Sequence, residues 1–144
     1  MKNKQGVTLI VLLTALTVML VIISSATVIG VDSINSANFE EYKGSIGRVK
    51  DNVNQYYLEN GVLPITKEIV SATSLEGSFV NAINNNSDEN NKLYVIDISL
   101  LKNDTIRAGK GSVFNKDVYV VSENTNNIYY LKGFKYKGKI IYDN

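Results

Sequence analysis

Residues 7–31, VTLIVLLTALTVMLVIISSATVIGV, carry no charged side chain, and no other feature of the chain limits its fold so strongly. As a helix rising about 1.5 Å per residue, this run extends about 37 Å, more than the roughly 30 Å of a bilayer's hydrocarbon core. Its polar members, Thr8, Thr14, Thr17, Ser24, Ser25 and Thr27, can return their hydroxyls to helical carbonyls. Lipid offers backbone groups no partner, so a single apolar segment of this length is expected to be helical and transmembrane. A removable secretory signal has a shorter apolar core, about 7–15 residues, with its cleavage site behind it. Here the short basic leader lies in front. Lys2 and Lys4 precede the run and Asp32 is the first charge after it. Positive residues stay cytoplasmic, which implies a single-pass protein of the cytoplasmic membrane with its N-terminus inside and its head outside.

The rest of the chain has room for one small outer domain, since the whole has 144 residues. A net charge of +1 gives no general attraction to nucleic acid or anionic lipid. Cysteine, histidine and tryptophan are absent. Disulfides, Ser–His–Asp and Cys–His nucleophile systems, and zinc sites of the usual Cys/His kind are thereby excluded. The expectation is a protein that is not an enzyme and takes no cofactor or metal.

The leader Lys4-Gln5-Gly6-Val7-Thr8-Leu9-Ile10 resembles the cleavage signature of type IV pilins and the related secretion pseudopilins. The resemblance implies that a prepilin peptidase cuts between Gly6 and Val7 and methylates the new amine of Val7. It implies an assembly helix beginning Thr8, Leu9, Ile10 and Val11. Its partners would be other pilin-like subunits, the prepilin peptidase, an assembly platform protein and membrane lipid. Val11 stands where the family usually carries a glutamate that meets a neighbouring subunit's amine. A subunit that starts a filament has no such amine ahead of it, so an apolar Val11 suggests a minor subunit in a tip or priming role; the alternative is a divergent family member that dispenses with the contact. The stretch QYYLENGVLP at residues 55–64 resembles the end of the long pilin helix. The run VYVVSENTNNIYYLKG at residues 118–133 resembles the C-terminal hairpin of pilin-like proteins from Gram-positive bacteria. The rival reading is a membrane-anchored extracytoplasmic binding domain that keeps its leader and never enters a filament.

Past the apolar run, Tyr42, Ile46, Val49, Val53 and Tyr56 recur at helical spacing and form one stripe. Asn60-Gly61 and then Pro64 stop the helix. Ser74 is placed to cap a short helix on which Leu75, Phe79 and Ile83 share a face. Residues 84–91 read as a solvated polar loop; Asp88 and Glu89 invite a calcium reading, but the EF-hand spacing is missing. Residues 92–98 read as a strand and 99–102 as a turn. Residues 117–121 pair with 128–131, and residues 134–136 pair with 139–142 around Lys137-Gly138.

Lys132, Lys135, Lys137 and Lys139 alternate with Phe134 and Tyr136, a pattern compatible with single-stranded nucleic acid contact. Lysines that protect a strand edge from pairing explain it more simply. The fold expected is α+β: a leader at 1–6, a transmembrane or filament-core helix at 7–31, its outer half at 32–61, and a globular head at 62–144 with a small antiparallel sheet.

Overall fold

The computed structural model describes residues 2–71 and 74–143, with the side chains of residues 9–20, 32–71 and 74–143. Its first element is helix α1, Lys2–Asn60. The chain divides into two compact units, Met1–Asn38 and Phe39–Asn144.

The expected membrane span is not found among the described residues. Among the described residues, no helix is long and apolar enough to cross a membrane. From Asp32 onward the helix carries charge at short intervals. This corrects the expected transmembrane helix, and with it the single-pass location with the head outside. The mixture of helix and antiparallel sheet is compatible with the α+β expectation.

In the unit Phe39–Asn144, α1 ends where the turn chemistry demands. The Gly61 N–H donates to the Tyr57 carbonyl at 2.8 Å, and the Asn60 side chain closes the Tyr56 carbonyl at 2.9 Å. A four-stranded antiparallel sheet follows, built in sequence order from β1 (Ile65–Val70), β2 (Leu93–Ile96), β3 (Tyr119–Ser122) and β4 (Ile128–Tyr130). Helix α2 (Gly77–Asn85) sits between β1 and β2, and a single 3-10 turn, Ile98–Leu101, follows β2. Strands β5 (Phe134–Tyr136) and β6 (Lys139–Ile141) form a separate hairpin.

Both faces of the sheet are covered, which explains why all four residues of β3 are buried. Strand alternation sends Tyr119 and Val121 one way, with Ile96, Ile128 and Tyr130, onto Ile46, Val49 and Val53 of α1. Tyr42 and Tyr56 flank this cluster, so the helical stripe read in the sequence is the face that packs. Val120 points the other way, with Leu93, Val95 and Tyr129, onto Phe79 and Ile83 of α2. The outer edge of β4 does not stand open, because the Tyr130 N–H donates to the Tyr142 carbonyl at 2.8 Å.

Three local readings need amendment. Strand β1 falls in a stretch without a clear sequence signal. It pairs with β2 through a register shift between Ile65 and Ile69. Ser74 does not cap α2: its hydroxyl donates to the Ser71 carbonyl at 2.8 Å, and Glu76 takes the N-cap position without a side-chain bond to the helix backbone. The third is the polar loop after α2, described next.

Candidate functional site

Helix α2 ends in a left-handed residue, Ser87 at φ 59°. The Ser87 N–H donates to the Asn84 carbonyl and the Asp88 N–H to the Ile83 carbonyl, at 3.1 and 2.9 Å. These are the two bonds of a Schellman termination, and they turn Asp88 inward. Its carboxylate is 0% exposed. Oδ1 accepts from Ser122 Oγ, Thr125 Oγ1 and Asn91 Nδ2 at 2.8, 2.6 and 2.8 Å. Oδ2 accepts from Asn127 Nδ2 and the Tyr129 hydroxyl at 2.9 and 2.5 Å. The donors are all neutral. Burial acts to raise the carboxyl, but the bonds from Thr125, Tyr129, Asn127 and Ser122 outweigh it and hold Asp88 at about 2.

Asp88 is therefore not in a solvated turn. A carboxylate has about four lone-pair sites, and five donors leave none for a cation or a substrate proton. Asp88 joins the end of α2 to the β3–β4 hairpin, and its work is structural. Among the described residues, no group of three or more acids, histidines or cysteines could hold a metal ion. A cleft of about 510 Å³ opens beside β1, with Glu68, Asp97 and Lys102 on its wall. Its Asp97 carboxylate already accepts the Ser99 N–H and hydroxyl, at 3.1 and 2.5 Å.

Of the proposed processing and assembly residues, the side chains of Gly6, Val7 and Thr8 lie outside the described residues. Leu9, Ile10 and Val11 are described, and they are exposed. With Leu12, Leu13, Leu16, Val18, Met19 and Leu20 they make nine large apolar side chains, each 55–69% exposed. Being consecutive in part, they ring the helix instead of forming one stripe. Thr14 and Thr17 hide their polarity by donating to the Val11 and Thr14 carbonyls, both at 2.9 Å.

The four lysines are exposed and do not share one face. Lys132 precedes the hairpin, Lys135 pairs across it with Ile140, and Lys139 pairs with Tyr136. Lys137 occupies the turn at φ 47°, its ammonium 5.2 Å from the Tyr136 ring centre. The rings between them are engaged with α1: Tyr136 stacks on Phe39 at 4.1 Å, and Phe134 lies 5.2 Å from Tyr42.

Sequence reasoning passed over a fully exposed aromatic, Phe114, between β2 and β3. The only sequence signal was its place in a stretch rich in Gly, Ser, Asn and Lys. Compared with protein-family models, curated proteins and solved structures, the chain matches none.

Proposed function

We propose that this chain is a structural subunit of the type IV pilin or pseudopilin kind, assembling with sibling subunits through residues 9–20 of α1. The observation that carries the reading is the ring of nine exposed apolar side chains on that stretch. Scattered exposed apolar residues are ordinary, but a continuous belt calls for a cover. Each such side chain contributes about 1.5–3 kcal/mol when fully buried, so a helix–helix contact along this stretch is strongly favoured. The bonded hydroxyls of Thr14 and Thr17 let it pack closely without orphaned polar groups. Removal of the leader between Gly6 and Val7, methylation of Val7 by a prepilin peptidase, and handling by an assembly platform protein belong to the same reading. The apolar Val11 fits a tip or priming subunit.

Intact-mass spectrometry of the protein from its native cells, beside a Gly6→Ala variant, is the test. A native species starting at Val7 and heavier by one methyl group, with the variant uncut, is the expected result. A native chain still starting at Met1, and monomeric by sedimentation, overturns the proposal.

A further inference from the structure

Asn60-Gly61 is the one Asn-Gly pair in the chain, and it sits where α1 stops. This pairing makes an asparagine reactive. The main-chain nitrogen of the next residue can attack the side-chain amide carbon, and a glycine there has no Cβ to obstruct the approach. Both residues are exposed, so water and hydroxide reach them.

The folded chain keeps the reacting groups occupied elsewhere. The Gly61 N–H donates to the Tyr57 carbonyl at 2.8 Å, which commits the attacking nitrogen to the helix end. Asn60 Nδ2 donates to the Tyr56 carbonyl at 2.9 Å, which draws the carboxamide back onto the preceding turn. Ring closure has to release the first bond and turn the carboxamide out of the second. Beyond the pair, Leu63 packs on the core and the Asp97 N–H donates to the Pro64 carbonyl at 2.8 Å. The short link from α1 into β1 is therefore anchored at both ends.

We propose that Asn60 is a deamidation site which the end of α1 keeps closed, and that its reaction permanently weakens that end. Hydroxide takes the Gly61 N–H proton, the nitrogen bonds to Cγ of Asn60, and the Cγ–Nδ2 bond breaks to release ammonia. Water then opens the cyclic imide at either carbonyl, leaving an aspartyl or an isoaspartyl residue at position 60. No electrons are gained or lost overall. The new carboxylate cannot donate to the Tyr56 carbonyl, and its charge lies at the negative end of the helix dipole. The isoaspartyl form also adds a methylene to the main chain of a link whose ends are fixed. This inference is independent of the filament reading.

The test holds the full-length chain at mildly alkaline pH, folded in buffer and unfolded in urea, and follows the peptide carrying Asn60 by mass. In urea, position 60 should convert from amide to acid ahead of every other asparagine. In the folded chain it should convert at least roughly 10-fold more slowly, because two hydrogen bonds have to open first. Equal rates in the two conditions overturn the closure, and no conversion in urea overturns the site. Chain converted in urea and then refolded should melt a few degrees lower than unconverted chain taken through the same cycle, with faster amide exchange at residues 57–61. Asn60→Gln, which keeps a neutral donor and closes a ring far less readily, should convert slowly and keep the wild-type midpoint through that cycle. An equal midpoint and equal exchange in converted and unconverted chains overturn the weakening.

Discussion

The Tyr42 hydroxyl donates to the Ile141 carbonyl at 2.7 Å, joining α1 to β6 across 99 positions of sequence. The same ring lies 5.2 Å from Phe134 of β5, so one side chain holds both strands of the hairpin against the helix. Tyr42→Phe keeps the packing and removes the bond. It should cost about 1 kcal/mol, read as a lower urea midpoint at unchanged slope.

The second ring on the hairpin offers a separable measurement. Phe39 and Tyr136 stack at 4.1 Å with their planes 5° apart. A double-mutant cycle of Phe39→Leu and Tyr136→Leu should show a coupling of about 0.5–1.5 kcal/mol. Strict additivity of the two losses would mean the stacked pair adds nothing beyond the area it buries.

Alkaline pH should unfold the protein. Burial raises Tyr42, Tyr129 and Tyr130 above the ordinary tyrosine value, and pushes Tyr119 up to about 12. Their unfolded counterparts lose a proton near 10. The stability these groups contribute is therefore complete below pH 10 and is lost as pH rises through their folded values. Tyrosinate absorbance should rise in step with loss of helical circular dichroism for these four side chains, not before it.

Asp88 acts at the other end of the scale. Its folded value of about 2 lies below the ordinary 3.8, so its contribution is present above pH 4 and lost as pH falls through 2. The shift corresponds to about 2 kcal/mol at neutral pH. Asp88→Ala leaves the five donors in a buried site without their acceptor and should cost more, about 3–5 kcal/mol. The acid slope of stability between pH 4 and 2 should flatten in Asp88→Asn.

Gly109 cannot be replaced. It sits at φ 83°, and a Cβ there would lie 2.2 Å from Cδ2 of Tyr119, a ring fixed in the core. Gly109→Ala should lose about 2–4 kcal/mol through overpacking and left-handed strain together, seen as a fall in melting temperature. An unchanged midpoint would mean that the Tyr119 ring has room to withdraw.

The parts of the fold legible in the sequence are those set by periodicity and local turn chemistry. Ile46, Val49 and Val53 announced the packing face of α1, and Lys137-Gly138 announced the hairpin turn through two adjacent positive φ values, 47° and 78°. Asp88 was read wrongly because composition reports solvent preference locally. Its donors Ser122, Thr125, Asn127 and Tyr129 lie 34 to 41 positions away and form a polar interior only when β3 and β4 reach it. Strand β1 was missed because its register shift breaks the alternation that betrays a strand. The membrane span is an expectation from an uncharged run; among the described residues no helix is long and apolar enough to cross a membrane. Phe114 was missed because one exposed ring leaves no pattern.

The cage around Asp88 behaves as a hydration shell made of protein. Amide and hydroxyl dipoles do what water molecules would do for a free carboxylate, and they cannot exchange with the medium. Dissolved ions screen an exposed pair such as Lys116 with Glu76, but they find no counter-charge to compete for at Asp88. The joint between α2 and the β3–β4 hairpin should therefore hold equally well in dilute and in briny surroundings.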